Sequence, residues 1–262
     1  MSKYKIGVTE AGDAGLDLSW ETRLDSVDGA VLVTKCISPA FLIAALGHKD
    51  KIIVHATFTG YGHTMVEPYA PSPCEEFDSI LRLVKAGFPK ERIVIRVDPI
   101  IPTAKGTMTA LGAIKLFMEQ GFSRYRISVI DMYPHVRGRF KRAGLPLPYG
   151  NNFSASDEQM ARVDEMVRIA KTYWSDQNGD APLRIEACAE PGLTEPIQCG
   201  CVSEYDLALL GLDDAQSNSA GYQRKDCMCY SGKTELLKHR QQCPHGCLYC
   251  YWKSKAQKEG SV

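Results

Sequence analysis

The chain has 262 residues, and 31 lysines and arginines balance 31 aspartates and glutamates, so the formal net charge is zero. That balance excludes a protein held on duplex phosphates by bulk electrostatics, and no apolar run is long enough to cross a bilayer. The length and apolar share suit one large α/β domain with a buried core.

Residues 1–5 lead straight into a strand-like run with no signal-peptide pattern, which points to the cytoplasm. Val- and Ile-rich runs at 5–9, 30–34, 52–58, 92–97, 126–130 and 183–187 alternate with helical patterns. Most are apolar on both faces, as parallel strands covered by helices are. Ser38-Pro39 opens one helix, which ends at Gly47, and Ser72-Pro73 opens another, which closes at Gly87. Ser156 with Gln159 forms a capping box before a long helix, with Met160, Val163, Val167 and Trp174 on its buried face. Repeated βα units predict right-handed crossovers and a partial (βα)6 barrel of the TIM type.

In such a barrel, chemistry gathers at the C-terminal strand ends. Those ends carry Glu10, Lys35, Thr57, Thr59, Arg96, Asp98, Asp131 and Cys188-Ala189-Glu190. Each can cap a helix or satisfy backbone. As a set they predict one polar cavity. On its own Glu67 reads as a loop ion pair, and Asp98 either faces the cavity or caps a turn. Residues 133–142 form a basic patch interleaved with aromatics, either a phosphate or base contact or a solvated loop.

After residue 190 the pattern weakens, with short helical stretches at 203–210 and 234–240. The reading is a barrel core over 1–190 and a Cys-rich segment over 191–262 packed on the same barrel, as a single domain. The chain holds ten cysteines, and in a reducing compartment metal ligation is the better default for them than disulfides. Cys243, Cys247 and Cys250 form a C-x3-C-x2-C run. Three thiolates on one loop can hold three corners of an iron–sulfur cubane and leave the fourth iron open. Cys199, Cys201, Cys227 and Cys229, with Cys188, are candidates for a second metal, either zinc or another iron–sulfur cluster. A competing reading from another class is a zinc-binding structural or interaction module with closed cysteine sites.

The cysteine run, with Tyr249 before its third cysteine, resembles the signature of radical S-adenosylmethionine (SAM) enzymes. Further stretches resemble, in order, the spore photoproduct lyase branch of that superfamily. They are Val8-Thr9-Glu10 with Glu21-Thr22-Arg23, the Thr34-Lys35 strand end through Pro39, Glu67-Pro68 through Pro73, and Arg96-Val97-Asp98-Pro99 through Pro102. The chain is also similar to a bacterial family known as a domain of unknown function. In the superfamily the cysteine loop follows the first strand, whereas here it comes last, so the resemblance implies a circularly permuted core. Residues 5–9 would then be the usual second strand, and 183–187 is a candidate for the first-strand slot.

The resemblance implies a [4Fe-4S] cluster on Cys243, Cys247 and Cys250 with SAM on the open iron. It places Glu10 at the SAM amino group, Lys35 at its carboxylate, and Thr57 or Thr59 at its methionine or ribose part. Glu67, Arg96 and Tyr249 become pocket residues, with Asp98 beside them. Cys36 becomes a candidate hydrogen donor to a substrate radical, although a small buried hydrophobe is its commoner role. A reductant such as flavodoxin or ferredoxin is implied, as is a nucleobase or nucleic-acid substrate, with a metabolite or peptide left open. No membrane partner is expected.

Overall fold

All six predicted strands form: β1 (Ile6–Val8), β2 (Gly29–Thr34), β3 (Ile52–Thr57), β4 (Ile93–Ile100), β5 (Arg124–Val129) and β6 (Arg184–Cys188). The computed structural model describes residues 4–212, 228–230, 232–239 and 243–252. Two further short strands appear there, β7 (Ile197–Cys199) and β8 (Lys233–Glu235). The eight make one sheet in the order β7-β6-β5-β4-β3-β2-β1-β8, parallel at every step. This is an α/β fold whose sheet curls into a half-barrel flanked by helices.

The helices are α1 (Pro39–Gly47), α2 (Pro73–Lys85), α3 (Ala104–Met118), α4 (Pro134–Arg142), α5 (Asp157–Asn178) and α6 (Glu204–Leu209). The predicted caps are in place. Ser38, Ser72 and Ser156 each accept an N-terminal backbone N–H, and the Ser72–Glu75 and Ser156–Gln159 boxes are reciprocal. Gly87, at φ 99°, ends the chain's run out of α2 where a side chain would be strained. No helix among the described residues is long and apolar enough to cross a membrane.

Alternation along the strands divides their roles. Leu32, Val54, Ile95, Tyr125 and Ile185 face the helices and bury against Phe41, Leu83, Phe117 and Val167 in the main core. Val31, Ile53 and Val94 face the other way, into a second cluster with Leu207 and Tyr230. On that concave side β5 and β6 turn charged. Arg126 Nη2 bonds Glu186 at 2.7 Å and Asp206 of α6 at 3.3 Å, and Arg124 reaches the same aspartate at 2.5 Å. Asp206 is also the N3 residue of the α6 capping box. One short helix thus plugs the lower barrel, and the inward positions nearer the strand ends line a cavity.

Three expectations need correction. Residues 233–235, within or beside the stretch read as helical over 234–240, are strand β8, paired in parallel with β1. Pairing to an exposed edge overrides the local helical preference of so short a segment. The 133–142 patch is mostly helix α4, started by Pro134 at its first position. The 183–187 strand lies between β5 and β7, far in the sheet order from the slot beside β1, which β8 fills.

Candidate active site

A cavity of about 590 Å³ opens at the C-terminal strand ends, a size ordinary for small-molecule sites. Thr57, Arg96, Asp98, Ser128 and Cys188 reach it from the concave face, and Glu10 and Lys35 from the ends of β1 and β2. The loop with Cys243, Cys247, Tyr249 and Cys250 forms part of the same wall.

Asp13, which the sequence reading passed over, fastens that loop. Its carboxylate accepts from the Gly15 N–H at 2.8 Å, the Thr34 hydroxyl at 2.5 Å and the Lys35 N–H at 2.9 Å, and meets His245 Nε2 at 2.6 Å. His245 lies between the first two cysteines of the run. Burial alone would raise the Asp13 pKa, but His245, Thr34 and Lys35 hold it below the usual range. Elsewhere the loop is tied by the Leu248 N–H to Val66 O at 2.9 Å and by Arg139, which donates to the carbonyls of Cys250 and Trp252. Gly246 sits at φ 67°, and a Cβ there would meet the Tyr69 ring at 2.9 Å.

Lys35 stands at the centre of a buried network. Its ammonium donates to Glu67 at 3.0 Å and to the Thr59 hydroxyl at 3.4 Å. Glu67, 0% exposed, also accepts from Thr59 at 2.5 Å and from the Tyr249 hydroxyl. Burial works against a charged Lys35, yet Glu67 and Glu76 hold its pKa above the usual value. Glu67 is therefore an ion-pair residue, but a buried one.

Glu76 approaches Lys35 only to 4.0 Å, and neither of its carboxyl oxygens has a hydrogen-bond partner. Burial, opposed by Lys35, pushes its pKa to about 8 from 4.5. Between those pH values the native chain binds a proton that the unfolded chain has lost, so this group's stability contribution falls as pH rises. Each pH unit is worth about 1.4 kcal/mol. Glu76→Gln is expected to match the parent near pH 4.5 and to exceed its stability by roughly 2 kcal/mol or more at pH 8, read from urea midpoints. An offset that does not change with pH would rule this account out.

Across the cavity, Glu10 receives the Lys233 ammonium at 3.0 and 2.9 Å. Burial and the nearby Cys201 raise its pKa to about 7, while Lys233 restrains the rise. Arg96 pairs with Asp98, which also accepts from the Ser128 hydroxyl. Burial lifts the Cys243 and Cys247 thiols to about 12 and raises Cys250 as well. Ligation there means displacing protons with a metal's charge.

A family model described as a domain of unknown function (DUF1848) matches residues 18–252. The chain belongs to that family. No curated protein and no solved structure matches it. The matched span of this DUF1848 chain holds the cysteine loop but stops short of Glu10 and Asp13.

Of the predicted site residues, Glu10, Lys35, Thr57, Arg96, Asp98, Cys188, Cys201, Tyr249 and the three loop cysteines line the cavity. Thr59 and Glu67 stand behind Lys35, and Cys36 lies outside the lining. Cys199 turns to the Ala187 carbonyl at 3.4 Å. Cys227 lies outside the described residues. None of the described cysteines forms a disulfide. Among the described residues no three His, Cys, Asp or Glu side chains are spaced to hold one metal ion. A cubane makes a different demand, because each thiolate binds a separate iron and the ligands stand around a shared volume. Three cysteines on one short loop facing one cavity fit that donor set.

Proposed function

We propose that this DUF1848 chain is a radical SAM enzyme with a circularly permuted core. A [4Fe-4S] cluster on Cys243, Cys247 and Cys250 supplies an open iron for SAM and the electron that cleaves it reductively. The observation that carries the reading is the return of the C-terminal cysteine loop to the cavity lined by Glu10, Lys35 and Arg96. The topology adds support. β8 precedes the loop and pairs in parallel with β1, as a first strand beside a second would.

The chain's own groups suit the proposed tasks. Glu10 already holds an ammonium, that of Lys233, which is the chemistry asked of it at the SAM amino group. Lys35 already holds a carboxylate and presents fixed positive charge to the cavity wall. Thr57 offers a hydroxyl on the same wall. Tyr249 ties the loop to Glu67, so the cysteines and the Lys35 network hold position together. The reading extends to a reductant of the flavodoxin or ferredoxin kind and to a nucleobase or nucleic-acid substrate.

Anaerobic reconstitution with iron and sulfide tests it. The parent should turn brown and bind about four more irons per chain than the C243A/C247A/C250A variant. Reduced with dithionite, it should release 5′-deoxyadenosine from SAM, and the variant should not. Equal iron in both proteins, or no 5′-deoxyadenosine from a loaded and reduced parent, would overturn the proposal.

A further inference from the structure

We propose that Cys188, Cys201 and Cys229 form a second thiolate site, for a soft metal centre, at the seam between the two edges of the half-barrel. The inference does not depend on the reading of the cysteine loop.

The sheet ends at β7 on one side and β8 on the other. Cys201 follows β7, and Cys229 precedes β8. The two segments are nonetheless in contact. The Cys201 N–H donates to Cys229 Sγ at 3.2 Å, and a Cβ on Gly200 would lie 2.7 Å from Cys229 Cα. Cys188, at the end of β6, brings its sulfur to 3.4 Å from that of Cys201. Three thiols from three separate chain segments therefore gather around Cys201. Arg126 fixes that point from within the barrel by donating to the carbonyls of Gly200 and Cys201 at 2.5 and 3.0 Å.

Geometry and charge both suit a metal. Sulfurs around a tetrahedral ion with metal–sulfur bonds of about 2.3 Å stand roughly 3.8 Å apart. No three donors among the described residues already have the spacing of a bound ion. The 3.4 Å contact is nevertheless close enough that side-chain rotation can supply the difference. The Lys233 ammonium, 3.5 Å from Cys229 Sγ, offsets the charge of three thiolates. Cys188 and Cys201 line the cavity with Glu10, so the fourth position opens beside a carboxylate. Soft sulfur donors select zinc or an iron–sulfur cluster over hard cations.

The full-length C243A/C247A/C250A variant isolates the site. It should retain about one zinc or cobalt ion per chain after mild chelation, with a sulfur-to-cobalt charge-transfer band, or else turn brown with iron and sulfide. The two arms tell the occupants apart. Cys188→Ser and Cys201→Ser should each weaken retention at least tenfold, and bound metal should raise the melting temperature by tying the seam. If the loop variant does not fold, the same serine changes in the parent chain should remove this metal while the loop keeps its iron. No retained metal in either arm, retention indifferent to both serine changes, or a Cys188–Cys201 disulfide in anaerobically purified protein would overturn the proposal. None of these results bears on the loop's own iron, so the two readings fail separately.

Discussion

Lys35→Met is expected to cost about 3–5 kcal/mol of stability, the usual penalty for stranding one member of a buried ion pair. Glu67 is wholly buried, and Lys35 is the cation bonded to it. Without that cation, Thr59 and Tyr249 still donate to the carboxylate, but no charge balances it. Adding Glu67→Gln removes the stranded charge, so the double variant should recover most of the loss, with a coupling of at least about 2 kcal/mol in a double-mutant cycle. Urea midpoints of the four proteins read this directly. The single variant should also hold less iron after reconstitution, because Tyr249 reaches the network from between two loop cysteines. If Lys35→Met costs under about 1 kcal/mol, the network is not what seats the loop.

The five longer strands, β2 to β6, were legible because residues buried on both faces leave an unbroken apolar run, and their positions matched to within a few residues. Helix starts were legible for a similar reason, since a Ser-Pro pair or a Ser-x-x-Gln box encodes its own cap. The three-residue strands other than β1, Ile6–Val8, are different. Ile197–Cys199 and Lys233–Glu235 are too short for any period to register, and they become strands only by pairing at a sheet edge. The charged lower barrel was written into the alternation Arg124, Arg126 and Ser128 on β5. It was overlooked because the intervening Tyr125, Ile127 and Val129 dominate the impression. Glu10, Lys35, Arg96 and Asp98 could be placed at the cavity because strand ends converge by topology. The burial of Glu67 could not, because its partners Thr59 and Tyr249 lie 8 and 182 residues away. Cys188, Cys201 and Cys229 stood among the five second-metal candidates in the sequence, but which of the five meet was hidden for the same reason, with Cys229 facing Cys201 from 28 residues along the chain.

Asp13 gives the sharpest test of how the C-terminal loop is held. The aspartate follows β1, among small residues where a turn is the default reading, yet its two oxygens collect four partners and span β1, β2 and the cysteine loop. Asp13→Asn keeps the shape but turns an NH2 toward groups that donate. Hydrogen bonds to a charged acceptor are worth about 1.5–3 kcal/mol each. Losing the match at one oxygen and the charge at both is therefore expected to cost about 3–5 kcal/mol. The loss should fall on the loop first, because His245 is its link to this carboxylate and lies between Cys243 and Cys247. Reconstituted Asp13→Asn protein should accordingly lose iron to a chelator at least tenfold faster than the parent. His245→Ala should reproduce the faster loss with a smaller drop in urea midpoint, since Thr34, Gly15 and Lys35 keep their bonds to the aspartate. A variant that unfolds earlier yet holds iron as long as the parent would show that Asp13 braces the barrel alone and that the loop is seated by Arg139 and Tyr249.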